Sequence, residues 1–197
     1  DECQIGCLLG PSGCGKTTVL RSIAGFEQPA RGEISLNGKK LSGFKTHVDP
    51  EKRHIGMVFQ DIALFPHLSV EENIQFGMRS WSHEKRKKRS QELLDLIGMS
   101  QFMKKYPHQL SGGQQQRIAL ARAMAPKPSL LLMDEPFSSL DIELREQLAR
   151  EVRLILKHEN ISALLVTHDQ NEAFAMGDNI CVLNQGRVQQ TDSAYNL

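Results

Sequence analysis

Five short runs of apolar residues punctuate the chain: Ile5–Leu9, Ile55–Phe59, Leu130–Met133, Ala163–Val166 and Ile180–Leu183. Runs of this length without polar alternation are the pattern of strands covered on both faces, so they predict a largely parallel sheet. Gly32-Glu-Ile-Ser-Leu-Asn-Gly38 alternates instead and closes on Asn37-Gly38, which predicts a hairpin strand at an antiparallel edge. Helical spacing separates several of the runs. Thr17–Ala24 predicts a helix ended by Gly25, and Leu144, Leu148, Val152 and Ile155 form an apolar stripe behind an N-cap at Asp141. Strands alternating with helices predict an α/β layered fold.

The span from about Asp61 to Ala125 breaks that rhythm. It holds no strong strand pattern and carries helical signals, Glu84–Ile97 among them. The expected organisation is therefore one domain, with residues 1–60 and 126–197 building the sheet core and 61–125 forming an inserted helical sub-domain.

Chemistry enters at the end of the first run. Gly10-Pro-Ser-Gly-Cys-Gly-Lys-Thr-Thr18 fits the pattern G-x-x-x-x-G-K-[ST] at Gly10, Gly15, Lys16 and Thr17. It lies between a predicted strand and a predicted helix, the context the motif requires, so the core is expected to be that of a P-loop NTPase. Gly10, Gly13 and Gly15 would let the backbone close round an anion. The N–H groups of the loop, whose span also takes in Ser12, Cys14, Thr18 and Pro11 (itself without an N–H), together with the first turn of the helix, would face phosphate oxygens. Lys16 would reach the β- and γ-phosphates of a nucleotide, and the Thr17 hydroxyl would ligate Mg²⁺.

Polar groups collect where the other runs end, which is where ligands bind in open α/β sheets. Asp134 follows Leu130–Met133, as a carboxylate that organises Mg²⁺ should, and Glu135 could orient or deprotonate the attacking water. Gln60 follows Ile55–Phe59 and could touch Mg²⁺ or that water. His168 follows Ala163–Val166 and could hydrogen-bond the γ-phosphate. A second anion site is predicted at Leu110-Ser-Gly-Gly-Gln-Gln-Gln-Arg117. Ser111 and Gln114 form a capping box there, and Gly112 and Gly113 bare amides at the positive end of a helix that runs to about Ala125. One nucleotide does not need both sites in a monomer. A two-fold dimer would set the Ser111 helix of one copy against the γ-phosphate held by the other.

Composition bounds the alternatives. The 197 residues carry a formal net charge of +1, so no global field calls for nucleic acid or an anionic membrane. Apolar residues make up 40%, enough for a core, yet no run approaches the roughly 20 residues that cross a bilayer. Work at a membrane would therefore require docking onto an embedded partner. The basic run at Glu84–Arg89 is expected to be a solvated helix face, although a nucleic-acid patch would look the same. Cys3, Cys7, Cys14 and Cys181 show no metal spacing and are expected to be reduced thiols in a cytosolic protein; Cys14, in an electropositive loop, could be reactive or filler.

With these motifs in order along the chain, the sequence resembles the nucleotide-binding subunit of an ABC transporter. The matching parts are the phosphate loop (Gly10–Thr17), the glutamine loop (Gln60), the signature (Leu110–Gln114), the Mg²⁺ strand ending in Asp134, the catalytic glutamate Glu135, the Ser139-Leu-Asp141 loop and the switch histidine His168. The resemblance implies that two copies sandwich two ATP molecules, with Asp141 at the shared site, and that the homodimer drives membrane-spanning permease subunits at the cytoplasmic face of the inner membrane. His47–Arg53, Phe59–His67 and Leu140–Ala175 are similar to the ATPases of bacterial importers served by a periplasmic solute-binding protein, with ferric-iron importers the nearest group named. Importers of polyamine, sulfate or sugar are the alternative, as is an ABC ATPase of DNA repair or translation. The family's N-terminal adenine-stacking aromatic and C-terminal regulatory domain are expected to lie outside this sequence, so the adenine contact is left unassigned. Ile62, Leu64, Phe65 and Leu68, too apolar for a bare loop, either fill the core of the insert or form the groove that receives the permease.

Overall fold

The computed structural model describes residues 3–197. Its main sheet has six strands: β1 (Ile5–Leu9), β5 (Ile55–Val58), β6 (Leu130–Asp134), β7 (Ala163–Thr167), β8 (Asn179–Asn184) and β9 (Arg187–Ser193), in the order β5-β6-β7-β1-β8-β9. The first five are parallel, in register Val58↔Met133, Met133↔Leu165 and Leu9↔Thr167, so their carboxyl ends finish level with one another. β9 alone runs antiparallel, turned back from β8 at Gln185-Gly186, both left-handed (φ 48° and 72°).

The continuous apolar runs are explained by cover on both faces. In β6, Leu131 and Met133 join the large core under the later helices, whereas Leu132 joins Leu20 and Ala24 of α1 (Lys16–Ala24) on the opposite face. The larger layer holds α4 (Gly112–Met124), α5 (Ile142–His158) and α6 (Gln170–Met176). Leu148 and Val152 of α5 are buried there, with Leu144 and Ile155 packed beside them, so the predicted stripe is the contact face.

Between the neighbouring strands β5 and β6 the chain makes only helical structure: α2 (Val70–Gln75), α3 (His83–Leu96), α4 and single 3₁₀ turns. Arg89 of α3 is 5% exposed and pairs with Glu159 at the end of α5. Arg117 of α4 pairs with Glu151 at 2.8 Å. The predicted hairpin forms at Asn37-Gly38, joining β2 (Ile34–Leu36) to β3 (Lys39–Gly43). With β4 (Thr46–His47) it makes a three-stranded sheet of its own rather than the edge of the main one. The buried Arg53 guanidinium ties that sheet to α1, donating to Ser42 Oγ at 2.7 Å and to the Ile23 carbonyl at 2.9 Å. Among the described residues no helix is long and apolar enough to cross a membrane.

Candidate functional site

The chain leaves β1 at Leu9 and wraps once before α1. Gly13 (φ 80°) and Gly15 (φ 104°) hold left-handed backbone that a side chain would strain. Gly15 caps α1 without any side-chain acceptor, which leaves the first amides of the helix for an anion. The fold gives Gly10 a requirement of its own. A Cβ there would lie 2.1 Å from the Leu183 carbonyl oxygen, so the missing side chain makes room for β8. The turn after β8 braces the loop further, because the Gly186 amide donates to the Cys14 carbonyl at 3.1 Å.

Lys16 is 4% exposed and folds over its own loop, donating to the carbonyls of Gly10 (2.8 Å) and Pro11 (3.0 Å). Cys14 is buried beneath it, its sulfur 3.9 Å from the ammonium, and so packs the loop's underside. Ser12, Gly13, Gly15, Lys16, Thr17, Thr18 and Glu135 line one open cleft of about 300 Å³.

Two carboxylates at the end of β6 stand at this cleft, Glu135 in its lining and Asp134 against Thr17. Thr17 Oγ1 donates to Asp134 Oδ1 at 3.3 Å, which brings the two expected Mg²⁺ ligands together. Burial raises the Asp134 carboxyl above its ordinary range, the neighbouring Glu135 charge adds to that, and the Thr17 bond opposes it. A hydroxyl and one carboxylate beside a phosphate cradle suit Mg²⁺, which takes few protein ligands and completes its shell with phosphate and water. Among the described residues there is no cluster of three or more His, Cys, Asp or Glu that would hold a metal by protein alone.

Glu135 has φ 44°, which turns its side chain out of the strand line, and its amide still donates to the Val166 carbonyl at 2.9 Å. Its carboxylate meets His168 Nδ1 at 3.1 Å. The two residues come from adjacent strand ends, and the register Asp134↔Val166 explains the meeting.

Other expected residues stand apart from this cluster. Gln60 follows β5 at the level of Glu135 but is exposed, and it makes no side-chain hydrogen bond among the described residues. Ser111 forms the predicted box, its hydroxyl accepting from the Gln114 amide (3.4 Å) and its own amide donating to Gln114 Oε1 (3.0 Å). That end of α4 contributes nothing to the cleft lining. Gly113 is buried, and a Cβ there would sit 3.3 Å from Leu144 Cδ2, so close packing on α5 is its local requirement. Asp141 caps α5, accepting from the Leu144 amide at 3.0 Å, and is exposed. Ile62, Leu64, Phe65 and Leu68 are all half-buried. Phe65 lies 4.2 Å from Phe76 and under the Arg122 guanidinium, and Asn73 Nδ2 donates to the carbonyls of Phe65 and Leu68.

Sequence reasoning missed a polar group behind the cleft. Arg145 of α5 donates to Asp169 Oδ2 at 2.8 Å and to the Leu140 carbonyl at 3.0 Å. The Thr167 hydroxyl donates to the buried Glu172 at 2.5 Å. A single arginine on an amphipathic helix carries no signal of its own; only the pairing of strand ends brings its partners near.

The family described as "ABC transporter" matches residues 1–138. A second, "AAA domain, putative AbiEii toxin, Type IV TA system", matches residues 104–173. The chain is 46% identical over 196 residues to the Fe(3+) ions import ATP-binding protein FbpC 2 of Haemophilus influenzae, covering 98% of this chain and 55% of that protein. It is 49% identical over 192 residues to the spermidine/putrescine import ATP-binding protein PotA of Chromobacterium violaceum, covering 96% and 52%. The chain thus spans about half the length of the curated relatives it matches. Among solved structures, the ATP-binding cassette MJ0796, a dimer in a post-hydrolysis state bound to ADP and Pi, superposes with a TM-score of 0.81 at 34% identity, covering 98% of this chain and 87% of that one.

Proposed function

Because the chain belongs to the ABC transporter family, we propose that it is the ATP-hydrolysing subunit that energises a membrane importer. The observation that carries this reading is the meeting of the phosphate loop with Glu135 in one cleft, with His168 holding the Glu135 carboxylate at 3.1 Å. The loop amides and Lys16 hold the β- and γ-phosphates of ATP, Lys16 trading the Gly10 and Pro11 carbonyls for phosphate oxygens. Thr17 and Asp134 hold Mg²⁺, which neutralises phosphate charge when bound, and Gln60 serves that ion or the attacking water. Glu135 orients the water and accepts its proton, and His168 steadies the γ-phosphate and Glu135 together. The transfer is achieved by positioning and charge stabilisation, without a covalent intermediate.

Two copies share each nucleotide, the Ser111–Gln114 turn and Asp141 of one facing the phosphate loop of the other; a dimeric cassette among the structural neighbours supports this. Residues 61–125 act as a helical sub-domain. The half-buried Ile62–Leu68 segment receives the permease at the cytoplasmic face of the inner membrane, where a periplasmic binding protein supplies solute from the other side. Ferric iron is the solute proposed first, supported by the iron-import relative. A polyamine is the second reading, favoured by a relative of similar identity with that name. Uptake of labelled iron and labelled spermidine in a strain lacking the gene separates the two. For the ATPase itself, Lys16→Ala should abolish Mg²⁺-dependent phosphate release and weaken ATP binding. Hydrolysis by Lys16→Ala at the wild-type rate would overturn the assignment.

A further inference from the structure

The side chains around the cleft close a ring. Glu135 touches His168 through its carboxylate. The Glu135 carbonyl accepts from the Ser138 hydroxyl at 2.9 Å and amide at 3.2 Å. The Ser138 and Leu140 carbonyls accept from one nitrogen of Arg145, at 3.4 and 3.0 Å, while its other terminal nitrogen donates to Asp169, the residue after His168. Arg145 is only 17% exposed, and its Nε faces the buried Glu172 at 3.5 Å without a hydrogen bond to it. One planar fork thus bridges the segment after Glu135 to the turn that carries His168, a geometry that the point charge of lysine cannot reproduce.

We propose that Arg145 is a positioning residue for hydrolysis: it locks the turn Thr167–Asp169 to the loop Ser138–Asp141, and so keeps His168 on Glu135. The role rests on the ATPase reading above. Arg145 stands on the helix that Asp141 caps, and its amide donates to the Asp141 carbonyl at 2.9 Å. A change at the loop facing a second copy is therefore delivered to His168 through one side chain. The phosphate loop itself is built on β1 and α1, and among the described residues no hydrogen bond joins it to Arg145, so the link bears on hydrolysis more than on nucleotide binding.

Asp169 offers a clean partner substitution. Its Oδ1 caps α6, accepting from the amides of Asn171 (2.8 Å) and Glu172 (3.4 Å), and its Oδ2 takes Arg145. Asp169→Asn keeps the capping oxygen and loses the charged acceptor. The test measures steady-state hydrolysis and amide hydrogen exchange in Arg145→Met, Arg145→Lys, Asp169→Asn and the Arg145→Met/Asp169→Asn double variant. Arg145→Met should lower kcat by about tenfold or more with KM within about twofold of wild type, and Arg145→Lys should recover part of the loss. The double variant should be no slower than Arg145→Met alone. Exchange should quicken in both 138–141 and 168–172 in Arg145→Met and in Asp169→Asn. An unchanged kcat, multiplicative losses in the double variant, or exchange that quickens in only one of the two segments would overturn the proposal. The exchange readout needs no turnover, so a wild-type protein without ATPase activity would refute the ATPase reading and leave the link itself decided by exchange.

Discussion

Adding a single methyl group to the phosphate loop should disrupt the protein through β8. In Gly10→Ala the new Cβ would lie 2.1 Å from the Leu183 carbonyl oxygen and 2.9 Å from Cys14 Sγ. The thiol can rotate away, but the carbonyl belongs to a strand held between β1 and β9, so the backbone of one strand must move by about an ångström. Overpacking costs about 1–3 kcal/mol where side chains can adjust, and a backbone obstacle puts Gly10→Ala at the upper end. For a chain of this size a loss of about 3 kcal/mol lowers Tm by about 6–12 °C. Gly6→Ala is the internal control, because its Cβ would meet Leu164 Cδ1 at 3.5 Å and the Ala163 carbonyl oxygen at 4.0 Å, both ordinary contacts. Its Tm should stay within about 3 °C of wild type, the shift expected for a substitution worth less than 1 kcal/mol. Thermal unfolding followed by circular dichroism on both variants decides the matter. Equal melting temperatures for Gly10→Ala and Gly6→Ala would refute the claim that β8 dictates glycine at position 10.

Acid should weaken one edge of the sheet in a way a single substitution removes. Burial alone would raise the Asp178 carboxyl, but hydrogen bonds from Lys157, the Ile5 amide and Arg153 outweigh it and bring it down to about 2. A depressed carboxyl stabilises the fold above its unfolded value of about 4 and loses that contribution as pH falls towards 2. The stability advantage of wild type over Asp178→Asn should therefore be full at pH 5 and shrink by pH 2.5 in urea titrations; an advantage independent of pH would contradict the pairing. Arg89→Leu should cost about 3 kcal/mol, because it leaves Glu159 largely buried without its partner. Arg89→Leu/Glu159→Leu should recover much of that loss by denaturant unfolding, and a double variant no more stable than the single would count against the pair.

The parallel strands could be read from the sequence because helices cover both faces, so burial writes itself as uninterrupted apolar runs. β9 could not, since Arg187-Val-Gln-Gln-Thr-Asp-Ser193 is exposed along most of its length and is set by the Gln185-Gly186 turn and its ladder with β8. The meeting of Thr17 with Asp134 and of Glu135 with His168 was legible because the phosphate loop follows one strand end, the other three stand at or just past strand ends, and parallel register carries those ends to one edge. Gly10 and Gly113 were legible as positions needing glycine, yet their reasons, the Leu183 carbonyl and the Leu144 side chain, are tertiary. Arg145 was invisible for the same cause: its partners lie on separate turns, and only the fold puts them within one fork's reach.

The central claim, an ATPase site shared between two copies, is tested most directly by mixing two inactive variants. Ser111→Arg keeps its own phosphate loop and Lys16→Ala keeps its own Ser111 turn, so a heterodimer contains one complete site of two. Random pairing of equal amounts should restore about a quarter of wild-type ATP hydrolysis, since half the dimers are mixed and each has half its sites intact. Activity no greater than the sum of the two separate variants would contradict the shared site.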